Sequence, residues 1–364
     1  MNLLYTEIEE ELRASVRDLL ADHSPVSAVL ARIEGPGAYD PALWRQLAAE
    51  LGAAGLQVPE RYAGAGASLR ETAVVMEELG RAVAPVPFLG SAVLATTALL
   101  AAQDSAPDDV LGNALGALAD GSRTGTLAVP LSSAPGRPFT PTVTLHPDGT
   151  LSGRVTSVAD ALGADLLVVP GPDCSLHLVE TGFTATPRTS LDLTRPLADL
   201  TFDRTPARLL TADPAALQRA LLTGAGLLAS EQLGIAEWCL AATVGYLRER
   251  RQFNRPLGSF QALKHRLADL WLDVVGARAA ARAAADALAT EAADAAVAVA
   301  VAASHCGTVA VRAAEECVQL HGGIGMTWEH PAHLYLKRAK ADHLALGTPA
   351  HHRAVLAGLV DLPA

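Results

Sequence analysis

The sequence predicts a mainly helical protein interrupted by one small β domain: helices over residues 1–122, strands over 123–210 and a helical bundle over 211–364. Three observations carry this reading. Half of the 364 residues are hydrophobic but only 4% are aromatic, so Ala, Leu and Val must do the packing, and Ala and Leu are strong helix formers. Proline and glycine become frequent, among short β-type runs, between about Thr124 and Arg208. Alanine-rich amphipathic stretches then resume at Asp213-Pro214 and run almost to the end.

Each element has its own signal. Thr6-x-x-Glu9 and Ser68-x-x-Glu71 fit capping boxes ahead of apolar-periodic runs. Asp40-Pro41 is a cap followed by proline at the first helical position, with Leu43, Leu47, Leu51 and Leu56 at near-helical spacing behind it. Gly90 and Ala92 to Ala102 suggest a further packed helix. Strands are expected at Leu127–Val129, Thr142–Leu145, Asp165–Val169 and Ser175–Val179, and Pro147-Asp148-Gly149 is a hairpin signal. Segments near 214–250, 258–290, 293–320 and 330–345 form a four-helix bundle.

Charge and cysteine usage exclude several functions. A formal charge of −11 argues against a phosphate-backbone binder, so no nucleic-acid partner is expected. Cys174, Cys239, Cys306 and Cys317 form no CxxC pair and read as small buried hydrophobes, so no metal site is expected. The opening Met1-Asn2-Leu3 leads into the acidic run Glu7-Ile8-Glu9-Glu10-Glu11, which is unlike a secretory signal. The longest uncharged stretch, Ala82 to Gln103, contains Pro85 and Pro87 and does not suit a spanning helix. A soluble, reduced, cytoplasmic protein is expected, with no membrane partner.

Two stretches can carry chemistry. The first runs from Tyr246 to Gln261 and includes Arg250, Arg251, Gln252, Phe253, Arg255, Phe260 and Gln261. It closes one long helix and opens the next, with Pro256 and Gly258 expected to supply the turn. Arginines at a helix C-terminus complement the macrodipole, and Phe253 and Phe260 suit a bundle core. The same arginines, aromatic ring and amides also suit a nucleotide, by charge pairing, stacking and hydrogen bonding. The second stretch is Gln319-Leu320-His321-Gly322-Gly323-Ile324-Gly325. It reads as a helix end and loop, or as backbone bare enough for a pyrophosphate to approach its amides. No GxxxxGK[ST], strand-borne GxGxxG or GxSxG is present.

Together these stretches resemble the acyl-CoA dehydrogenase family, in its RxxF…FQ corner, its Q-x-x-GG-x-G loop and the helix–β–helix layout along essentially the whole chain. The resemblance implies an N-terminal helical domain, a middle β-barrel or sandwich and a C-terminal four-helix bundle. It implies FAD as cofactor, an acyl-CoA substrate that loses its α and β hydrogens as proton and hydride, and an electron-transfer flavoprotein or similar acceptor. It places Arg250, Gln252, Phe253 and Gln261, with Gln319, Gly322 and Gly323, on the diphosphate and adenosine part of an FAD housed mainly in a neighbouring subunit. Thr348, of the Gly347-Thr348 pair, joins the cofactor-binding set on the same ground.

The departures from the family pattern matter as much. The family's glutamate base usually precedes that Gly-Thr pair, where this chain has Leu346; the alternative position on the first bundle helix falls at or near Gly224. Leucine and glycine accept no proton. The strand that normally sets Trp and Thr against the flavin ring corresponds to Gly153–Ala159, with Ser157 and Ala159 at those places, and the serine-bearing loop has no recognisable counterpart in Ser132–Arg137. Glu231, Glu237 and Asp342 read as surface or ion-pair carboxylates, and His321, His330, His333 and His343 as structural histidines. No catalytic residue is assigned. The resemblance is closest to the shorter, degenerate subunits that pair with a second chain in α2β2 heterotetramers, some acting on steroid-derived or similarly bulky acyl-CoA esters. The expected function is therefore a base-less partner that contributes FAD contacts in trans. A self-sufficient homo-oligomeric flavoprotein turned to other chemistry, or a flavin-free scaffold subunit, stay open as alternatives.

Overall fold

A computed structural model describes residues 3–35, 37 and 39–361. Its N-terminal part is helical, and the caps read from the sequence close as expected. Helix α1 (Glu7–His23) starts with Glu9 N–H donating to Thr6 Oγ1, while Thr6 N–H donates back to the Glu9 carboxylate at 2.6 Å. After α2 (Val26–Ile33), Asp40 caps α3 (Pro41–Arg45) by accepting from the backbone of Ala42 and Leu43. The Leu43–Leu56 series is not one helix. It widens into a π-type turn over Gln46–Glu50 and ends at Gly52, which takes φ +70°. Helix α4 (Leu69–Ala82) has the second capping box. The uncharged 82–103 stretch becomes a wide turn at Leu89–Ala95 running into α5 (Thr96–Leu100), and it is almost entirely buried in the core. Helix α6 (Asp108–Ala119) completes this part.

The middle of the chain forms two four-stranded sheets that face each other. One, in the order β1-β4-β5-β8, joins β1 (Gly125–Leu127), β4 (Leu166–Pro170), β5 (Leu176–Val179) and β8 (Arg208–Thr211). The other, in the order β2-β3-β7-β6, joins β2 (Val143–Leu145), β3 (Thr150–Ala159), β7 (Leu197–Pro206) and β6 (Phe183–Arg188). The hairpin signal sits between β2 and β3, with Leu145 paired to Leu151. A core of its own lies between the sheets, including Val143, Leu151, Val155, Leu167, Leu200 and Phe202. This is a sandwich, held by inward alternation on both faces.

The bundle consists of α7 (Ala215–Glu249), α8 (Gln261–Ala289), α9 (Ala295–His321) and α10 (Ala332–Asp342), and a fifth helix, α11 (Pro349–Leu359), packs along α9. Helix α9 is long and apolar enough to cross a membrane by composition alone, but here it is the inner helix, against α7, α8, α10 and α11. Helix α4 crosses α7 where two glycines let the backbones meet. A Cβ on Gly80 would lie 2.1 Å from the Glu231 carbonyl oxygen, and one on Gly234 would lie 1.9 Å from that of Glu77. Trp238 stacks flat on Tyr335 at 3.6 Å, and the Tyr335 hydroxyl donates to the Arg81 carbonyl, which seats α10 on both helices.

Sandwich and bundle are joined by buried charge. Arg195, in the loop before β7, donates to Glu231 of α7 at 2.6 Å and to Asp342 of α10 at 2.7 Å. Arg338 of α10 donates to Glu231 and to Thr194 Oγ1, each at 2.6 Å, and to Asp192. All five charged groups are buried. The sequence reading of Glu231 and Asp342 holds as to ion pairing and fails as to surface position. Burial alone would raise the Glu231 carboxyl, but Arg195 and Arg338 outweigh it and bring it down to about 2. Asp342 goes the other way: burial and the adjacent Glu231 push it well above the usual range, and the arginines offset this only in part.

These opposite shifts give opposite expectations. Glu231 folds with its carboxyl below the ordinary value of 4.5, so its contribution is complete above that pH and is lost as pH falls towards 2. Asp342 folds with its carboxyl raised, so the protonated form suits the fold and ionising it costs stability as pH rises. In urea unfolding at pH 7, Glu231→Gln is expected to cost about 3–5 kcal/mol, because it leaves two arginines buried without their shared partner. Asp342→Asn, a mimic of the protonated acid, is expected to stay within about 1 kcal/mol of the parent. Equal losses for the two variants would contradict this assignment.

Candidate functional site

The corner between α7 and α8 is built differently from the sequence expectation. The chain reverses not at Pro256 and Gly258 but in a two-residue hairpin, where β9 (Arg251–Gln252) pairs with β10 (Arg255–Pro256). Its tip, Phe253 and Asn254, takes φ +51° and +58°, the pair of left-handed residues that a type I′ turn requires. Asparagine tolerates this and phenylalanine does so at a cost. Phe253 nevertheless stands 85% exposed, its ring edge-on to Phe260 at 6.0 Å, while the Arg255 guanidinium covers Phe260 at 3.9 Å. Phe253 is therefore not bundle core. Pro256 and Gly258 lead instead into a short 3₁₀ turn that brings Gly258 against the Leu247 carbonyl.

Around this tip, Arg250, Gln252 and Gln261 are all exposed, and among the described residues their side chains make no hydrogen bond or ion pair. The second predicted stretch lies beside them. Tyr246, near the end of α7, stacks at 4.5 Å on His321, the last residue of α9, and His321 lies 4.4 Å from the His330 ring. Beneath this stack, the Cys239 thiol and His321 both stabilise the Cys317 thiolate, bringing Cys317 down to about 5. Cys239, Cys306 and Cys317 are buried, as expected, and Cys239 of α7 faces Cys317 of α9 across the bundle. Gln319 is exposed and likewise unpaired among the described residues. Gly322 takes φ +65° and ψ −141°, a backbone state open essentially to glycine alone. Neither Gly322 nor Gly323 has any atom within 4 Å of a built Cβ, so no packing inside this chain calls for Gly323 to be glycine. Seven of the eight predicted cofactor residues therefore form one solvent-facing patch of free donors, one ring and bare backbone. Such a patch fits the diphosphate and base of a dinucleotide.

Thr348 stands apart. Its hydroxyl accepts from His351 N–H as the N-cap of α11, and the adjoining Pro349 packs on Gly307, fourteen residues or about 21 Å along α9 from the glycine loop.

The place where a base was sought is filled with hydrocarbon. Leu346 is fully buried, and a Cβ on Gly224 would lie 2.5 Å from Leu94 Cδ2 and 3.0 Å from Leu346 Cδ1. The two positions counted off the sequence thus converge on one spot, and Leu94 closes it. Backbone bonds seal it further: Leu346 N–H donates to the Leu131 carbonyl at 2.7 Å, and Leu131 N–H donates to the Ser157 carbonyl at 3.0 Å. Ser157 sits in a bulge of β3 at φ +56°, pinned by its N–H to Asp199. The segment beginning at Leu131 therefore lies directly over Ser157 and Leu346. Of the carboxylates nearby, Glu231 is held by two arginines and Glu237 by Arg278 and Arg81, while Asp342 keeps one oxygen unpartnered among the described residues but is pushed well above the usual carboxylate range by burial and Glu231. The buried Arg195–Arg338 lattice itself was not foreseen, since a lone arginine in a β segment and another inside a helix carry no local signal.

Comparison with known proteins gives matches along nearly the whole chain. The profile described as acyl-CoA dehydrogenase, C-terminal domain, matches residues 215–359, and the N-terminal domain profile matches residues 6–106. The acyl-CoA dehydrogenase IpdE2 of Mycobacterium tuberculosis is 40% identical over 343 residues, covering 94% of each chain, and IpdE2 of Mycolicibacterium smegmatis is 38% identical over 345. Among solved structures, a single-residue variant of the Tcur3481-Tcur3483 steroid ACAD superposes with TM-score 0.86 at 33% identity over 98% of both chains. The ChsE4-ChsE5 complex from Mycobacterium tuberculosis gives 0.89 at 27% identity over the full length of both.

The sealed pocket makes a direct prediction. Leu346→Glu should not create acyl-CoA dehydrogenation. It should instead lower stability by roughly 3 kcal/mol or more in urea unfolding, because a carboxylate would be forced among Leu94, Gly224 and Leu131 without a partner.

Proposed function

The chain belongs to the acyl-CoA dehydrogenase family of FAD-dependent oxidoreductases that act on the CH–CH bond of acyl-CoA thioesters, and from that premise we propose that it is the base-less partner of a second, similar chain, gripping FAD across a subunit interface. One observation carries the reading. The exposed side chains that suit a dinucleotide are unpaired among the described residues, while both positions for a base are packed with leucine and glycine.

In this role Arg250 pairs with the diphosphate, Gln252, Gln261 and Gln319 offer amides, Phe253 supplies a stacking face, and Gly322 and Gly323 let the diphosphate come close to backbone N–H groups. Thr348 keeps its capping duty and lies next to the sealed pocket rather than in this patch. When bound, FAD supplies the hydride acceptor. The proton-accepting carboxylate and the floor under the reactive ring come from the partner. The names of the two similar complexes, each of two components and one a steroid enzyme, support a bulky, steroid-derived acyl group as substrate and an α2β2 assembly. An electron-transfer flavoprotein or similar acceptor then receives the electrons.

Expressed alone, the chain should purify without flavin absorbance and without acyl-CoA turnover; co-expressed with a longer homologue that carries the glutamate, it should yield a yellow, active complex. In that complex Arg250→Ala and Gln261→Ala should release FAD on gel filtration. Gly323→Leu should do the same while leaving the melting temperature of the isolated chain unchanged. A yellow, active homotetramer of this chain alone would overturn the proposal, and unchanged FAD retention in the three variants would reduce the chain to a scaffold.

A further inference from the structure

A second concave site lies away from the cradle, in a groove of about 760 Å³ between α7 and α8 that is closed at one end by α1 and α4. That volume lies in the range of small-molecule sites. Six arginines line it, Arg13 and Arg17 from α1, Arg81 from α4, Arg248 from α7, and Arg278 and Arg282 from α8, on a chain whose net charge is −11. Three buried carboxylates and the exposed Glu10 answer them. Arg13 pairs with Glu77, Glu78 and Glu10, Arg17 with Glu78, and Arg81 and Arg278 share Glu237. Arg248 makes no ion pair or hydrogen bond among the described residues. Arg282 donates to the Leu3 carbonyl, lies on the Tyr5 ring at 3.7 Å, and keeps a buried Nε without an acceptor.

The floor is apolar, with Leu240, Val244 and Val274, and Trp271 stands at the rim, 56% exposed. The tight corner hairpin turns α8 back along α7, with Arg278 opposite Glu237, and the stripe from Trp271 to Arg282 spans about 16 Å of helix. Gly245 completes the floor. Unlike Gly224, Gly226 and Gly234 on the same helix, it has no atom within 4 Å of a built Cβ. Glycine inside a helix is unfavourable relative to alanine, and nothing in this chain requires it there. It leaves the groove clear.

We propose that this groove binds a nucleoside diphosphate, its base on the Trp271 indole and its phosphates on the unpaired Arg248 guanidinium. Arginine forks match phosphate oxygens bidentately, and an exposed indole is a stacking platform for any base. The inference is independent of the cradle reading, because the two sites use different residues.

The test uses the full chain carrying Arg250→Ala, which removes binding of ADP at the cradle from consideration. Calorimetric titration should show ADP binding, with pyrophosphate and adenosine each at least about tenfold weaker. Trp271→Ala should reduce ADP to the affinity of pyrophosphate, and Arg248→Gln should weaken both phosphate ligands. Gly245→Leu should abolish binding without lowering the melting temperature, since the added side chain meets only open space. No binding of ADP up to about 1 mM, or binding untouched by Gly245→Leu, would overturn the proposal. FAD retention in the complex should be unchanged by Gly245→Leu, so failure here is distinguishable from failure of the cradle.

Discussion

Two arginines buried between a β sandwich and a helical bundle hold this molecule in register. Arg195 and Arg338 converge on one Glu231, and through Asp192, Thr194 and Asp342 they tie the loop before β7 to α7 and α10. The desolvation cost of such a cluster is high, and it is recovered only if every lone pair is used. Three carboxylates facing two guanidinium groups leave one negative charge too many. Raising Asp342 while lowering Glu231 resolves this, since a proton on Asp342 balances the cluster. Its Oδ2 and the Gln232 Oε1 have no partner among the described residues, and both residues line one cavity of about 10 Å³, room for a single water to accept from the protonated Asp342 Oδ2 and donate to Gln232 Oε1.

That lattice fixes the C-terminal end of α10, and with it the turn that carries Leu346. Leu346 follows Asp342 by four positions, so the geometry of the ion cluster sets where the leucine enters the core. There it meets Leu94 and Gly224, with Leu131 bonded across the top. Hydrocarbon occupies the volume that a carboxylate and its substrate need. Leucine and glycine accept no proton there, and dispersion and burial favour the closed arrangement over an open cavity.

Much of this was legible in the residues. Capping boxes at Thr6 and Ser68, the Asp40-Pro41 start and the long alanine-rich helices are local signals, and local signals survive folding. Counting along two motifs locates Leu346 and Gly224 separately, and the structure brings the two side by side. What was not legible depended on partners distant in sequence. Arg195 and Glu231 lie 36 residues apart and Arg338 and Asp192 lie 146 apart; no periodicity announces such pairs. The corner at 250–261 failed for a different reason. Proline and glycine are the usual turn residues, but the reversal falls on Phe253-Asn254, where a phenylalanine is held at positive φ with its ring in water. A residue so unfavourable in both backbone and solvation is hard to read as a turn, and it points to an occupant that this chain does not supply.

The same logic applies to glycine. At Gly80 and Gly234 the reason for a missing side chain is visible, because a neighbouring backbone passes within contact distance. At Gly323 and Gly245 no such neighbour exists among the described residues. Both positions lie on concave or solvent-facing surface beside unpaired arginines, Arg250 in one case and Arg248 in the other. A conformational freedom that is costly and unused by the fold is most simply explained by something that comes close from outside it. Open space alone does not mark such a place, since Gly52 at a turn and Gly358 in α11 also lack neighbours; what sets Gly323 and Gly245 apart is the unpaired arginine beside each.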